Sequence, residues 1–329
     1  MKAAKFTKIG DPTTDDVLSV VESEVPTPKK GEILVKVAAA SVNPVDWKLI
    51  QGALPGVKPG SVGFDVSGTV EAIGPDCGDL SIQVGDAVYA DTYPIAGSWA
   101  EYCLVKAPAA ALKPSNIDFE QAASLPLCAL TALQSLRNGG FEAGKTIAVL
   151  GGSTGVGSLA IQMAKDMGAA HIYSTGTSKE LIEGFGADTV INYRTESAMD
   201  ELQGKELDVV LDCVGGIENW KIAKSALKRK GIFVTIVGDN SGMFSTIAAL
   251  IGRSALSLFG FTKYSFTMTS TSAPGIAKDM KTITDLVEAG KLKPVLDGRT
   301  FQLTTNSIHE MVEASISHRA KGKLILKMK

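Results

Sequence analysis

Residues 146–167 read TIAVLGGSTGVGSLAIQMAKDM. Thr146 to Leu150 is a short apolar, β-branched run, the pattern of a buried strand. Gly151, Gly152, Gly155 and Gly157 then break it. From Val156 the apolar positions recur as Val156, Leu159, Ala160, Met163, Ala164 and Met167, a helical period. Strand, glycine turn and helix make a phosphate cradle, because a helix start offers unpaired N–H groups and a partial positive charge to a pyrophosphate. Glycine lets the phosphate approach the backbone where a Cβ would hold it away. The spacing is G-x-x-G-x-G rather than G-x-G-x-x-G, so its weight comes from the flanking strand and amphipathic helix. The alternative is a glycine turn that binds nothing.

The chain has 329 residues, 45% hydrophobic and 21% charged, enough for two domains with cores of their own. A net charge of −2 gives no electrostatic footing for nucleic acid. Cys77, Cys103, Cys128 and Cys213 form no C-x-x-C pair, which fits a reducing compartment rather than a disulfide framework. The start, MKAAKFTKIG, lacks the apolar core of a secretory signal, so the cytoplasm is the expected location. Gly242 to Phe261 carries one charge, Arg253, over nearly a bilayer's length. Its central arginine, glycines and serines favour a cleft-lining or subunit-contact helix pair over a span; attachment to a membrane surface stays open.

Residues 1 to about 120 read as short strands with glycine punctuation: Ile33–Val37, Ser67–Ile73, Asp86–Ala90 and Trp99–Val105. That pattern predicts a partly open barrel. Asp118 and Gln121 have the spacing of a capping box, Pro126 should interrupt the helix that follows, and Asn138-Gly139-Gly140 should stop it. Beyond the glycine loop, strands His171–Thr175, Thr189–Asn192, Asp208–Cys213, Ile232–Val237 and Phe266–Thr271 alternate with helices Glu180–Phe185 and Trp220–Leu227. Alternation of this kind predicts a parallel, doubly wound sheet. The tail reads helix Ala277–Ala289, strand Phe301–Leu303, helix Ser307–Ile316 and strand Lys323–Lys327.

NAD-binding folds place a carboxylate about 20 positions past the glycines, on the ribose 2′-hydroxyl. Here that place reads Ser174-Thr175-Gly176-Thr177-Ser178-Lys179, with no carboxylate before Glu180. Hydroxyls and a lysine suit a 2′-phosphate, so the expected coenzyme is NADPH; otherwise Lys179 is a solvated loop lysine.

SVNPVDWK (41–48), GFDVSGTVEAIG (63–74), VGDAVYA (84–90), GSWAEY (97–102), AASLPLCALTAL (122–133), the glycine loop, GADTVINY (186–193), DCVGG (212–216) and GKLIL (322–326) together resemble the medium-chain dehydrogenase/reductase superfamily. Within it, they resemble the zinc-free, zeta-crystallin-like quinone oxidoreductase branch and its plant chloroplast-envelope homologues. The resemblance spans nearly the whole chain in order. It implies an α/β protein with a Rossmann doubly wound parallel sheet plus a GroES-like β-barrel catalytic domain. The implied domains are 1–125 with 291–329, and 126–290 for NADPH, with the active cleft between.

The superfamily's alcohol dehydrogenases carry a catalytic zinc. Where they have a cysteine ligand Asn43 stands, and where they have glycine-histidine-glutamate this chain has Gly63-Phe64-Asp65. The structural-zinc cysteine loop is missing, and His171, His309 and His318 are far from these motifs in sequence. No zinc is expected. Without a Lewis acid, the reaction needs an acceptor that takes hydride readily: a quinone or an α,β-unsaturated carbonyl. The Asn43 amide and coenzyme hydroxyls are candidate donors to the developing oxyanion, and water can supply the proton. No catalytic acid stands out. Trp47 either walls the pocket or packs in the core.

The resemblance also carries over coenzyme contacts. It puts Asn43 and Lys48 at the coenzyme, Thr131 beside the nicotinamide ribose, and Thr154, Gly155 and Val156 on the pyrophosphate. Thr177, Ser178, Lys179 and Tyr193 surround the 2′-phosphate. Val214, Gly238 and Asp239 bracket the coenzyme at strand ends, Phe266, Thr267 and Met268 lie on the nicotinamide side, and Arg319 reaches the coenzyme. Lys48 and Arg319 are otherwise surface charges. The implied activity is NADPH-dependent quinone reduction. The alternatives are an alkenal or enone double-bond reductase, and a non-catalytic NADPH-binding protein. Partners are a small-molecule quinone or enone and, by resemblance, a second copy of the chain; peripheral contact with an organelle membrane is the alternative to a purely cytoplasmic protein.

Overall fold

The structure, a computed structural model, describes residues 1–53, 57–78, 81–93, 95–238, 262–267 and 275–328. The Gly242–Phe261 segment lies outside them, as do Asp239 and Met268. Among the described residues, no helix is long and apolar enough to cross a membrane. The chain forms two compact units, one of 1–127, 270–290 and 294–329, the other of 128–269 and 291–293.

In the second unit all strands run parallel. Their order is Thr189–Ile191, His171–Thr175, Thr146–Leu150, Leu207–Asp212, Leu227–Thr235, Lys263–Phe266. Counted along the chain, that order is 3-2-1-4-5-6, which reverses between Thr146–Leu150 and Leu207–Asp212. Ligands of open parallel sheets bind beyond the strand C-termini at such a reversal. Ile147 to Leu150 are buried on both faces, as a central parallel strand must be, which is why they read as an unbroken apolar run. Trp220, Phe233 and Tyr264 pack as a trio with ring centroids 5.4 Å apart. The strand expected at Phe266–Thr271 lies at Lys263–Phe266, and Met268 to Thr271 fall outside the described residues.

The first unit holds a seven-stranded sheet. Its path runs Leu296–Gln302, Lys323–Lys327, Glu32–Ser41, Asp65–Ile73, Ala87–Asp91, Ala110–Leu112, and Tyr102–Lys106 pairs with Glu32–Ser41. A smaller sheet joins Leu18–Glu22, Lys2–Phe6 and Gly60–Ser61. Register matters for the site: Ser41 lies opposite Asp65 on one side and Ile325 on the other, and Asp65 lies opposite Asp91. Three strands thus bring polar residues to one end of the sheet.

Asp118 caps Phe119–Ala123 through its carboxylate and the Gln121 N–H, and a new helix starts at Pro126 and ends at Asn138. The helix Ile276–Glu288 departs from the expected 126–290 domain. It belongs to the first unit, because the buried Tyr89 hydroxyl donates to the Met280 carbonyl (3.2 Å) and lies 2.9 Å from the Thr284 hydroxyl. Asn116 also donates to the Val287 carbonyl (2.8 Å). Residues 291–293 belong to the second unit, where the Gln162 amide bonds both backbone groups of Lys293.

Candidate functional site

The strand Thr146–Leu150 runs into Gly151, whose φ of +90° suits glycine. Thr154 caps the following helix, Gly155–Asp166: its hydroxyl accepts the Gly157 N–H (3.0 Å) and donates to the Gly151 carbonyl (2.8 Å). A Cβ on Gly157 would sit 2.2 Å from the Gly151 carbonyl oxygen, so this glycine closes the loop on itself. With the Gly157 N–H taken by the cap, Gly155 and Val156 supply the orphan donors of the first turn.

At the end of the next strand the hydroxyls sort into two groups. Ser174 donates to the Val149 carbonyl and Thr175 accepts the Gly151 N–H, both buried, so they tie strand ends together. Thr177 and Lys179 are exposed, Ser178 is half-buried, and Tyr193 is exposed. The Lys179 ammonium lies 3.8 Å from Glu183, one turn along the same helix.

Asp212 ends the fourth strand and is buried. One carboxylate oxygen accepts the N–H groups of Val214 (3.0 Å) and Gly215 (2.9 Å) and the Asn219 amide (2.8 Å). The other accepts the Thr235 hydroxyl (2.9 Å), whose oxygen in turn accepts the Gly238 N–H (3.0 Å). Burial pushes the Asp212 carboxyl up, and these hydrogen bonds pull against that rise. This residue, not singled out by spacing, sets the two loops that carry Val214 and Gly238. Its signal was an aspartate closing an otherwise apolar strand. Thr131 is buried on the helix Pro126–Asn138, and Thr267 accepts the Asn138 amide (2.9 Å) just past the strand end at Phe266.

In the first unit Asn43 precedes the helix Pro44–Ile50, and its backbone N–H donates to Asp46 (2.7 Å). Its side chain turns to the sheet: Nδ2 donates to Asp65 Oδ2 (2.7 Å) and Oδ1 accepts from the Lys323 ammonium (2.7 Å). Asp65 Oδ2 also accepts from Ser41 (2.9 Å) and Lys323 (3.0 Å), and Oδ1 accepts the Leu127 N–H (2.7 Å). Asp65 is fully buried and the Lys323 side chain is 8% exposed, so this ion pair is shielded from solvent. Lys323 was legible only as the start of a strand.

Two further carboxyls lie nearby. Burial pushes Asp46 up to about 8 and Asp91 up to about 7, with the Asp65 charge adding to both. Each has one buried oxygen without a hydrogen-bond partner among the described residues. Trp47 is 6% exposed, donates to the Ser315 hydroxyl (3.0 Å) and meets the His318 ring edge-on at 6.4 Å. It is a core residue of the first unit. Lys48 lies 5.6 Å from the Trp47 ring, and desolvation pulls its ammonium down from the usual lysine range. Arg319, beside His318, is exposed.

These residues do not suit a zinc ion. Asn43 and Asp65 are committed to Lys323 and to each other, and Phe64 packs against Tyr93 at 5.7 Å. His171 bonds Thr189 and His309 bonds the Leu18 carbonyl, both elsewhere. Among the described residues, no three His, Cys, Asp or Glu side chains come together as a metal would need.

Residues 29–115 match the alcohol dehydrogenase GroES-like domain, and residues 185–326 match the zinc-binding dehydrogenase family. The 2-methylene-furan-3-one reductase of Solanum lycopersicum is 35% identical over 99% of this chain and 79% of its own length. The chloroplastic NADPH-dependent alkenal/one oxidoreductase of Arabidopsis thaliana is 38% identical over 86% and 69%. The chloroplast envelope quinone oxidoreductase homolog of the same plant is 30% identical over 94% and 93%. The Escherichia coli quinone oxidoreductase complexed with NADPH has a similar solved structure, with a TM-score of 0.83 and 27% identity over 99% of this chain and 100% of that one.

Proposed function

Because this chain belongs to the medium-chain dehydrogenase/reductase superfamily, and is therefore an oxidoreductase, we propose that it reduces quinones with NADPH and without zinc. The observation that carries this reading is the pairing of a capped glycine loop with a ribose-end stretch that has a lysine and no carboxylate before Glu180. Gly155 and Val156 offer N–H groups to a pyrophosphate, while Thr177, Ser178, Lys179 and Tyr193 present hydroxyls and a cation to a 2′-phosphate. Asp212 holds the loops that bracket the rest of the dinucleotide.

A bound nicotinamide supplies a hydride to the acceptor, and the oxyanion that results is protonated from water. The chain's part is to bind, orient and stabilise. Asn43 is the donor assigned to that oxyanion, and Lys48 and Arg319 add positive charge at the coenzyme. Burial and the neighbouring Asp65 charge hold the Asp46 and Asp91 carboxyls above the ordinary carboxylate range, so each binds its proton more tightly than an exposed carboxyl does.

Two of the relatives above are named as a 2-methylene-furan-3-one reductase and an alkenal/one oxidoreductase, which supports a second reading: reduction of the double bond of an α,β-unsaturated carbonyl at the same site. Initial rates on a quinone series and an alkenal series, with NADPH and with NADH, decide between them. NADPH turnover favouring quinones supports the first reading, alkenal preference supports the second, and coenzyme binding with no turnover of either would leave a non-catalytic NADPH-binding protein. The homodimer implied by resemblance is tested by sedimentation velocity, and the cytoplasmic location by cell fractionation.

A further inference from the structure

Lys323 has only donors, and Asp65 as a carboxylate has only acceptors. The Asn43 side chain lies between them, so its orientation is dictated: oxygen to the ammonium (2.7 Å), nitrogen to the carboxylate (2.7 Å). The ammonium's third acceptor is the Val42 carbonyl (3.2 Å), immediately before Asn43. Lys323 therefore grips both the backbone and the side chain of one short segment. The positions that read cysteine and glutamate in the zinc dehydrogenases, Asn43 and Asp65, here bond the same buried cation. A cation on an amide oxygen draws electron density from the nitrogen and makes its N–H groups stronger donors, an effect enhanced by exclusion of water.

We propose that Lys323 is a positioning residue that aims and polarises the Asn43 amide, so that a fixed ammonium, acting through that amide, supplies the electrophilic assistance that a metal gives in the zinc-dependent relatives. This rests on the reading of Asn43 as the donor to the acceptor's oxygen. The assistance matters most for an enone, which gains its negative charge on one oxygen, and least for a quinone, whose ring already delocalises it.

The test compares Lys323→Met with the parent enzyme on one enone and one quinone, with NADPH. Enone kcat should fall about 10-fold and quinone kcat less than about 3-fold, since weakening an oxyanion donor costs less than the roughly 100-fold or more of removing it. In an Asn43→Ala background, Lys323→Met should cost nothing further on either acceptor. A readout free of turnover is the Asn43 side-chain amide resonance in ¹⁵N-asparagine-labelled protein, identified by its loss in Asn43→Ala. It should move upfield in Lys323→Met. Should Lys323→Met not fold because Asp65 is left uncompensated, Asp65→Asn/Lys323→Met removes both charges and should show the same selective loss. Equal losses on the two acceptors, additive losses with Asn43→Ala, or an unmoved amide resonance would overturn the proposal. A parent enzyme that turns over neither acceptor would instead overturn the proposed function.

Discussion

Lys179 stands at the start of a short helix with its side chain 66% exposed and only a 3.8 Å approach to Glu183. So loose a pair contributes little to stability, which leaves the ammonium available to a phosphate. Lys179→Ala should raise the KM for NADPH about 10-fold, spare that for NADH and leave the melting temperature within a degree or so. Parallel losses with both coenzymes would remove its phosphate-reading role. Asp46 makes a different prediction. Its carboxyl rises from the ordinary 3.8 to about 8 because burial disfavours the charge. The folded protein thus holds that proton more tightly than the unfolded chain. Its contribution to stability is full below the unfolded value of 3.8 and is lost as pH rises through about 8. Asp46→Asn keeps an acceptor for the Asn43 N–H and removes the titration. Urea unfolding should show the variant gaining about 4 kcal/mol on the parent between pH 5 and pH 9; a constant difference across that range would refute the buried proton.

Among the elements, the glycine loop with its capped helix is the most constrained by its own backbone. Gly157→Ala would press a methyl group to 2.2 Å from the Gly151 carbonyl oxygen, so the strand end and helix start must separate. A cost of about 1–3 kcal/mol is expected, with at least about 10-fold weaker NADPH binding by calorimetry. Gly184→Ala is the control, because nothing lies within 4 Å of the added Cβ, and it should be neutral or slightly stabilising. The central strands were legible because buried β-branched runs bounded by glycine leave few alternatives; His171–Thr175 and Lys323–Lys327 have the bounds their pattern implies. Lys2–Phe6, Pro44–Ile50 and Ala198–Leu202 were not, since five to seven residues carry too little periodicity. The helix Ile276–Glu288 was legible as a helix but not in its allegiance. That depends on Tyr89, 191 positions away from Met280, and no local pattern encodes such a bond. The loop glycines and Lys179 were assigned from the sequence as candidates by motif. Asp212 and Lys323 were not, because their roles lie in what they hold.

For the whole molecule, the coenzyme contacts assigned to the second unit make one collective prediction. A ligand that binds only the folded state at 100 times its Kd adds about 2.7 kcal/mol. NADPH at that excess should raise the melting temperature by several degrees, and NADH at equal concentration by less. An identical shift with both would take the 2′-phosphate out of the recognition. The other unit is assembled from widely separated stretches of chain. Asp65 and the lysine that neutralises it are 258 positions apart, and both are buried once paired. A ribosome adding about 5–20 residues per second needs roughly 13–50 s to cover that gap. Throughout that interval the nascent chain carries Asp65 without its cation, so its carboxylate must stay hydrated or take up a proton. The sheet end around it can therefore close only late in synthesis, after the parallel sheet encoded in between has already emerged.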